Sequence, residues 1–137
     1  MTPQELLAAA RQARTHAYVP YSHFAVGAAL LTKSGKVYPG CNIENASFGA
    51  TNCAERTAFF SAVYAGEREF EAIAIVGGPE GTDEHRLCPP CGICRQVMRE
   101  FCDLDFKIYL ENGETPFFEA SLEEMLPFSF SPADLHQ

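Results

Sequence analysis

The sequence predicts an α/β protein with three α/β/α layers, in which a mixed five-stranded sheet carries helices on both faces. Three observations support this fold class. Segments with the apolar spacing of helices alternate along the chain with segments typical of strands. Residues 72–78 form a continuous apolar run, which is typical of a strand covered on both faces. A chain of 137 residues can bury about two-thirds of its unfolded surface, so residues 1–137 are expected to form a single domain.

The first third of the chain predicts a helix followed by a β-hairpin. Thr2 and Glu5 form a capping box that opens the helix. A Pro-bent aromatic loop then leads into a strand at residues 25–31, whose glycine and alanine residues indicate close approach of another backbone or a ligand. A turn at residues 33–36 contains a glycine suited to the left-handed position, and the returning strand is expected at residues 37–41.

The remaining elements follow from the same patterns of apolar spacing, caps and breakers. Because proline cannot donate a ladder hydrogen bond, Pro116 limits the segment at residues 115–118 to a short edge strand. Residues 126–132 are expected to end the ordered chain, and the last residues after them are expected to be frayed. The predicted elements are a helix from residue 54 that Gly66 stops, a strand at 72–78, a helix beyond Pro90, a strand at 106–110, an edge strand at 115–118 and a short helix through Met125, opened by a capping box of Ser121 and Glu124.

Three cysteines lie at the starts of two predicted helices. Cys53 precedes the first of these helices, and Cys91 and Cys94 occupy the start of the second. Unpaired N–H groups and the positive dipole end of a helix stabilise thiolates at these positions. Three converging thiolates indicate a metal site, and Zn²⁺ suits them best. Because a closed structural zinc site has four protein ligands, three ligands leave one position for water or substrate.

Glu55 lies two residues after Cys53, in the first turn of the same predicted helix. A carboxylate beside a zinc-activated water can move protons in a hydrolytic reaction. Each motif is weak alone, because a first-turn Glu is usually a favourable helix-end charge and Cys-x-x-Cys also serves redox chemistry. Together, a ligand-x-Glu followed by Pro-Cys-x-x-Cys matches the zinc deaminase signature.

The composition limits the classes of function. The formal net charge is −8 and the basic residues are scattered, which argues against a nucleic-acid partner, because binding a polynucleotide requires neutralising several phosphates. A small uncharged substrate is expected instead. No run of about twenty residues is apolar, so no membrane partner is expected. Six cysteines in a chain without a visible secretory signal indicate reduced thiols and a cytoplasmic location.

Three residues outside the cysteine motifs are candidates for substrate binding. Asn42 and Glu44 alternate in a segment after a strand, so both point to one face and can hydrogen-bond a vicinal diol such as a ribose. Spacing alone favours an ordinary polar loop. Phe24, at the start of a strand, is by pattern alone a core aromatic.

Four separate motifs follow one another along the chain. They are Pro20-Tyr21-Ser22-x-Phe24-x-Val26-Gly27-Ala28, Gly40-Cys41-Asn42-Ile43-Glu44-Asn45, Cys53-Ala54-Glu55-Arg56-Thr57-Ala58 and Pro90-Cys91-Gly92-x-Cys94-Arg95-Gln96-Val97. With these motifs in this order, the chain resembles the short-form, homotetrameric cytidine deaminases over nearly its whole length.

The resemblance implies a role for each residue at a matching position. One Zn²⁺ per chain would be held by the three cysteines, and a neighbouring subunit would complete each active site. Three thiolates give the zinc site a net negative charge, which a cationic neighbour must offset. The implied roles are zinc ligation by Cys53, Cys91 and Cys94, proton transfer by Glu55, hydrogen bonds to the cysteine sulfurs from Arg56, stacking on the pyrimidine by Phe24, ribose contacts by Asn42 and Glu44, a further substrate contact by Ala54, and closure of a neighbour's pocket by Phe130.

The implied activity is zinc-dependent hydrolytic deamination of cytidine and 2′-deoxycytidine to uridine and 2′-deoxyuridine with release of ammonia, as in pyrimidine salvage. A deaminase of a related cytosine nucleoside such as blasticidin S would use the same chemistry with a different pocket rim. A non-enzymatic zinc-binding or redox module is the third alternative. It predicts a fourth zinc ligand and leaves Glu55 without a role.

Two residues depart from the expected pattern. Cys88 extends the cysteine run to a spacing seen in iron–sulfur proteins, but the fourth cysteine followed by proline is absent. A free thiol near the site, able to oxidise with a neighbour, is therefore expected at this position. Phe48 stands where the family is expected to carry tyrosine, so one hydroxyl contact is missing.

Overall fold

Helices and strands alternate in the computed structural model of the protein, which describes residues 1–113 and 116–135. Within those residues no helix is long and apolar enough to cross a membrane. The elements in chain order are α1 (Pro3–Arg14), β1 (Phe24–Thr32), β2 (Val37–Cys41), a 3₁₀ turn (Phe48–Ala50), α2 (Ala54–Tyr64), β3 (Phe70–Pro79), α3 (Gly92–Phe101), β4 (Lys107–Leu110), β5 (Phe118–Ser121), α4 (Leu122–Met125) and α5 (Pro132–Leu135).

The strands of the described residues form one five-stranded sheet in the order β2-β1-β3-β4-β5. Strand β1 pairs antiparallel with both β2 and β3, whereas β3 and β4 are parallel and β4 and β5 are antiparallel. The parallel pair is joined by a connection that contains α3, because parallel neighbours need a crossover. The predicted mixed five-stranded sheet is confirmed.

Both faces of the sheet are covered, and β3 shows this most directly. Its residues Ile73 and Ile75 are buried in the cluster that includes residues of α2 and α3. The alternating residues Ala72, Ala74 and Val76 are buried in a second cluster, which includes residues of α1. Since successive side chains of a strand point to opposite faces, the sheet lies between α1 on one side and α2 with α3 on the other. The predicted three layers are therefore present.

Two glycines allow these helices to lie close against the sheet. A methyl group at Gly27 of β1 would overlap the carbonyl oxygen of Ala10 in α1. A methyl group at Gly40 of β2 would overlap the carbonyl oxygen of Ala54 in α2. The close approach of another backbone that the small residues of β1 predicted is confirmed at Gly27. The contact at Gly40 holds the first turn of α2, and with it the adjacent Cys53, against the sheet.

The predicted caps and turn are present. Thr2 and Glu5 form a reciprocal capping box at the start of α1, and Ser121 and Glu124 form another at the start of α4. Gly35 has a φ of 93° in the turn between β1 and β2, as the left-handed position requires. These local signals were sufficient because each involves residues only a few positions apart.

Two predictions about the C-terminal part were wrong. The last strand was expected at residues 115–118, but β5 runs from Phe118 to Ser121; Thr115 lies outside the described residues. Among the described residues the pairing of β5 with β4 begins at Phe118, consistent with Pro116 being unable to donate a ladder hydrogen bond. The last residues, after Pro132, were expected to be frayed, but those as far as Leu135 belong to α5 (Pro132–Leu135), and the two that follow lie outside the described residues. Its proline suits the first helical position, and the Asp134 carboxylate accepts a hydrogen bond from the backbone N–H of Ser131 at 2.7 Å.

Candidate active site

The three predicted zinc-ligating cysteines converge at the N-terminal ends of α2 and α3. Cys53 is the N-cap of α2, Cys91 is the N-cap of α3, and Cys94 lies in the first turn of α3. Their sulfur atoms all lie within 4.8 Å of one another. The structure thus brings together thiols that are separated by about 40 positions in the sequence.

The arrangement of the sulfurs fits a tetrahedral zinc ion. The sulfurs of Cys53 and Cys91 are 3.8 Å apart. Two sulfurs on a tetrahedral Zn²⁺, each at about 2.3 Å, are separated by about 3.8 Å. Among the described residues, the group of metal-ligating side chains assembled here consists of three cysteines, and Cys88 is not part of it. Three protein ligands are typical of a zinc site with one open position, whereas a closed structural site has four.

The electrostatics of the thiols favour a bound cation. Hydrogen bonding from Cys94, followed by contacts with Arg56 and Cys91, lowers the pKa of Cys53 to about 5. The pKa of Cys94 is raised, first by its hydrogen bond with Cys53 and then by burial. Neighbouring thiols therefore resist simultaneous ionisation, because like charges this close repel each other. A divalent cation removes that conflict and allows all three to be thiolates.

Arg56 is the cationic neighbour of this cluster. Its Nη2 donates a hydrogen bond to the Cys53 sulfur at 3.3 Å. The Nε atom of the same guanidinium is buried and has no hydrogen-bond partner among the described residues. The pKa of Arg56 is raised, mainly by its hydrogen bond with Cys53. The guanidinium is thus positioned to offset the negative charge of the sulfurs.

Glu55 is a buried carboxyl group beside the thiols. Only 5% of its surface is exposed. Burial raises the pKa of Glu55 to about 7, and the negative charge of Cys53 adds to the effect, while a hydrogen bond with Cys94 opposes it. A carboxyl group with a pKa near neutral pH can both accept and donate a proton, as general acid–base catalysis requires.

The segment with the two predicted ribose-binding residues is fixed beside the start of α2. The backbone of Ile43 exchanges two hydrogen bonds with that of Asn52, with N···O distances of 3.0 and 2.9 Å. On its other side the segment pairs with Tyr18 through bridge-type hydrogen bonds. Since Asn52 immediately precedes Cys53, these bonds hold Asn42 and Glu44 next to the cysteine cluster.

Asn42 fixes the beginning of β1. Its Oδ1 accepts a hydrogen bond from the backbone N–H of Val26 at 2.9 Å, and its Nδ2 donates to the carbonyl of Phe24 at 2.9 Å. An amide side chain has two N–H donors and two acceptor lone pairs. One donor and one acceptor position therefore remain for a ligand, while the others orient the strand that carries Phe24.

Glu44 organises the loop before β1. One of its carboxylate oxygens accepts hydrogen bonds from the backbone N–H groups of Tyr21 and Ser22 at 3.0 and 3.1 Å, and the other accepts from the Ser22 hydroxyl. The hydrogen bond from Ser22 is the main cause of a lowered pKa at Glu44. The carboxylate is therefore ionised at neutral pH and remains an acceptor for hydroxyl groups.

An aromatic depression lies next to Glu44. Tyr21 and Phe48 meet edge to face with ring centroids 5.9 Å apart. Phe48, which replaces the expected tyrosine, is 76% exposed. Together with Ser22, Glu44 and Thr51, the two rings line a cavity of about 400 Å³.

The other predicted substrate-binding residues occupy different environments. Phe24 is half-buried at the start of β1, and Ala54 is completely buried in the first turn of α2. Phe130 is 57% exposed. Its carbonyl accepts a hydrogen bond from Gln96 Nε2 of α3 at 2.9 Å, which anchors the backbone while the ring remains accessible.

Two residues that hold the site had no assigned role in the sequence analysis. Arg95 donates from Nε to the carbonyl of Pro90 at 2.8 Å and from Nη1 to the carbonyl of Met125 at 2.6 Å. It therefore ties the residue before Cys91 to the end of α4. Ser22 is the other, through its bonds to Glu44. Both lie within the quoted motifs, but no local pattern indicates their distant partners.

Comparison with known proteins agrees with this geometry. The family "Cytidine and deoxycytidylate deaminase zinc-binding region" matches residues 1–110. A cytidine deaminase from Halalkalibacterium halodurans is 52% identical over 136 residues, which cover 99% of each chain. The crystal structure of a cytidine deaminase from Burkholderia pseudomallei superimposes with a TM-score of 0.86 at 50% identity, covering 95% of this chain and 100% of that one. A blasticidin-S deaminase from Bacillus cereus is 31% identical over 130 residues, 93% of this chain and 91% of that protein.

The fold and the three-cysteine site define a zinc-dependent deaminase, an enzyme of the hydrolase class. The chain belongs to the cytidine and deoxycytidylate deaminase family. Zinc is accordingly its cofactor, as predicted, and the alternative of a non-enzymatic module is not supported.

Proposed function

We propose that the chain converts cytidine and 2′-deoxycytidine to uridine and 2′-deoxyuridine by hydrolysis, with release of ammonia, and thereby serves pyrimidine salvage. The observation that carries this proposal is the buried carboxyl group of Glu55 beside a cluster of three cysteine sulfurs. Relatives named cytidine deaminase, about half identical over the full chain, support the choice of nucleoside.

Cys53, Cys91 and Cys94 would hold the zinc ion, which supplies the Lewis acidity that activates water for attack on the pyrimidine. Glu55 accepts the proton released by the attacking water and delivers it to the ring nitrogen N3, which makes C4 more electrophilic. The same carboxyl group, now deprotonated again, takes the proton of the hydroxyl group on C4 and passes it to the departing amine, so that the C4–N bond breaks, ammonia leaves and the carbonyl of uridine remains. The reaction consumes one water and regenerates Glu55 in its starting state.

Arg56 keeps this site close to electrically neutral. A zinc ion with three thiolates has a net charge of about −1, which would disfavour deprotonation of water. The guanidinium that donates to the Cys53 sulfur at 3.3 Å supplies the opposing charge. Because the Arg56 guanidinium is held by a directional hydrogen bond, its position relative to the sulfurs is fixed.

The proposed substrate contacts surround the same helix ends. Phe24 would stack on the pyrimidine, and a backbone group of Ala54, at the start of α2, would contact the base. Asn42 and Glu44 would bind the ribose hydroxyls through the donor and acceptor positions that their structural hydrogen bonds leave free. Phe130 would close the pocket of a neighbouring subunit.

Blasticidin S is the second candidate substrate, because a blasticidin-S deaminase is among the relatives. It is a cytosine nucleoside, so the chemistry at Glu55 would be the same and only the rim of the pocket would differ. Purified enzyme should be assayed with cytidine, 2′-deoxycytidine and blasticidin S by the change in ultraviolet absorbance, with zinc measured on the same samples. A higher kcat/KM for blasticidin S would reject cytidine as the principal substrate. No turnover of any of the three in zinc-loaded protein would reject the proposed function.

We also propose that the enzyme is a cytoplasmic homotetramer with shared active sites. All six cysteines lie among the described residues and none of them forms a disulfide, which supports a reducing compartment. The fully exposed Phe128 has a φ of 52°, an unfavourable conformation for a bulky residue, and Phe130 nearby is also exposed. Two exposed aromatic residues two positions apart in the chain support an interface, and closed symmetric assemblies commonly bury such surfaces.

Mixing two inactive variants tests the shared site. Glu55→Gln chains should be combined with Phe130→Ala chains under conditions where subunit exchange is verified independently. Some mixed sites then contain an intact Glu55 and a neighbour's Phe130, so activity should recover. Phe118→Ala, which removes a partly exposed phenylalanine from the edge strand β5, is the matched control and should retain activity alone. A fully active monomer by light scattering would exclude the proposal.

A further inference from the structure

The sheet surface beside Phe24 contains a tightly packed contact that the proposed mechanism does not use. Gly77 of β3 lies opposite Val26 of β1, two residues from Phe24 along the same strand face. A methyl group at Gly77 would lie 2.8 Å from the Cys88 sulfur and 3.1 Å from Cε1 of the Phe24 ring. Carbon atoms in favourable contact are separated by about 3.5–4.0 Å. The missing side chain of Gly77 therefore makes the space in which Cys88 and the ring of Phe24 both lie.

Cys88 is held in this position by the backbone two residues before it. The N–H of Arg86 donates to the carbonyl of Gly77 at 2.8 Å, in an isolated antiparallel bridge with β3. This bridge fixes the backbone next to β3, and Cys88 then lies over Gly77. Cys88 is consequently placed by the sheet and not by the metal cluster, which it does not join among the described residues.

The thiol of Cys88 also lies within electrostatic range of the proposed catalytic residues. It interacts electrostatically with both Glu55 and Cys53, and burial is the main cause that raises its pKa to about 11. A thiol with such a pKa is neutral at physiological pH and is a poor nucleophile. Its contribution is therefore that of an uncharged group that packs over Gly77, where the ring of Phe24 also lies.

We propose that Cys88, accommodated by Gly77, is a positioning residue that holds the ring of Phe24 in the orientation required to stack on the pyrimidine. This inference rests on the proposed function, because the stacking partner is the substrate base. Residue 88 acts through Phe24 and takes no part in proton transfer. Its volume, matched to the empty space above Gly77, determines how far the ring can tilt.

A double-mutant cycle of Gly77→Ala and Cys88→Ala tests this proposal. Gly77→Ala inserts a methyl group against the sulfur and the ring, so KM for cytidine should rise about tenfold, a size within the usual cost of overpacking. Cys88→Ala alone removes the support of the ring and should raise KM about threefold, with kcat less affected, because stacking contributes similarly to binding of the ground state and the transition state.

The combined variant should bind cytidine better than Gly77→Ala alone. Removing the sulfur eliminates the 2.8 Å contact, and the remaining contacts, at 3.0 Å to Cβ of residue 88 and 3.1 Å to the ring, need shifts of only a few tenths of an ångström. The melting temperatures should show the same coupling, since the clash exists in the folded chain without substrate. The control for an added methyl is Gly49→Ala, where the new group meets open space. The control for a lost buried thiol is Cys102→Ala, which should change stability but not KM.

The outcomes separate this inference from the proposed function. Additive melting temperatures across the cycle would show that Gly77 and Cys88 do not share this contact and would overturn the proposal. An unchanged KM in Cys88→Ala would likewise overturn the positioning role. A wild-type enzyme that fails to deaminate cytidine would reject the proposed function instead. In that case coupled melting temperatures would still support the packing of Cys88 against Gly77, and additive ones would still refute it.

Discussion

Replacing Glu55 by glutamine is the most direct test of the proposed chemistry. The side chain is 5% exposed and lies in the first turn of α2. Glutamine has nearly the same shape as glutamic acid, so the substitution should leave the helix and its packing intact. It removes only the ability to exchange a proton. The three cysteine sulfurs are untouched, so zinc content should remain that of the wild type.

The expected loss follows from the number of proton transfers assigned to Glu55. Each general acid–base step contributes about 10²–10⁴-fold to the rate. Because Glu55 acts both on the ring nitrogen and on the departing amine, kcat should fall by at least about 10⁴-fold, which corresponds to about 5.4 kcal/mol of activation free energy. Burial raises its pKa to about 7, so the wild-type group is suited to both directions of transfer near neutral pH.

The assay should compare Glu55→Gln with Glu55→Asp. Aspartate retains the acid but withdraws it by one methylene, so it should recover part of the activity that glutamine abolishes. Turnover of cytidine by ultraviolet absorbance, zinc by elemental analysis and fold by circular dichroism should be measured on the same preparations. If Glu55→Gln keeps zinc and fold but retains about a tenth of wild-type turnover, the assignment of both proton transfers to this residue is wrong.

The remaining predictions concern the surroundings of the catalytic carboxyl group. Cys91→Ala should reduce zinc occupancy and lower the melting temperature by about 10 °C in excess zinc, because a ligand at about 100 times its Kd adds about 2.7 kcal/mol of stability; full zinc occupancy would contradict its role as a ligand. Arg56→Gln should reduce activity about 10–100-fold. It should also move the acidic limb of the rate–pH profile to higher pH, because the positive charge of Arg56 beside the sulfurs favours deprotonation of the attacking water. A wild-type profile with normal activity would mean that the Arg56 guanidinium faces solvent. Ser22→Ala should raise the lowered pKa of Glu44 towards its usual 4.5. In the wild type, the stabilising contribution of Glu44 is present above that usual pKa and is lost on acidification. Melting curves of Ser22→Ala between about pH 3 and pH 7 should therefore show a smaller loss of stability on acidification than those of the wild type. A pH dependence identical to that of the wild type would contradict this prediction.

The residue chemistry of the metal site could be predicted because it depends on local signals. Cys53 precedes an apolar helical pattern, and Cys91 and Cys94 follow Pro90, so each thiol could be placed at a helix start from the sequence around it. The caps at Thr2 and Ser121 were predictable for the same reason. Each depends on residues within one turn, and propensity and hydrogen bonding at that range vary little with the rest of the fold.

The C-terminal errors came from weak local signals. Pro116 indicated an edge strand, but the position of β5 depends on its register with β4, which residues 115–118 do not encode. The helix at Pro132–Leu135 was overlooked because four residues give too short a pattern to recognise by apolar spacing.

By itself, the sequence determined the fold class, the cysteine trio and its adjacent carboxyl group, because periodicity, caps and motif spacing act over short distances. Only the tertiary structure decided the strand order, the partners of Asn42 and Glu44, and the packing of Cys88 and of the Phe24 ring over Gly77. Those contacts join residues that lie from eleven to more than fifty positions apart. Their formation depends on how whole elements pack against one another, which no local pattern specifies.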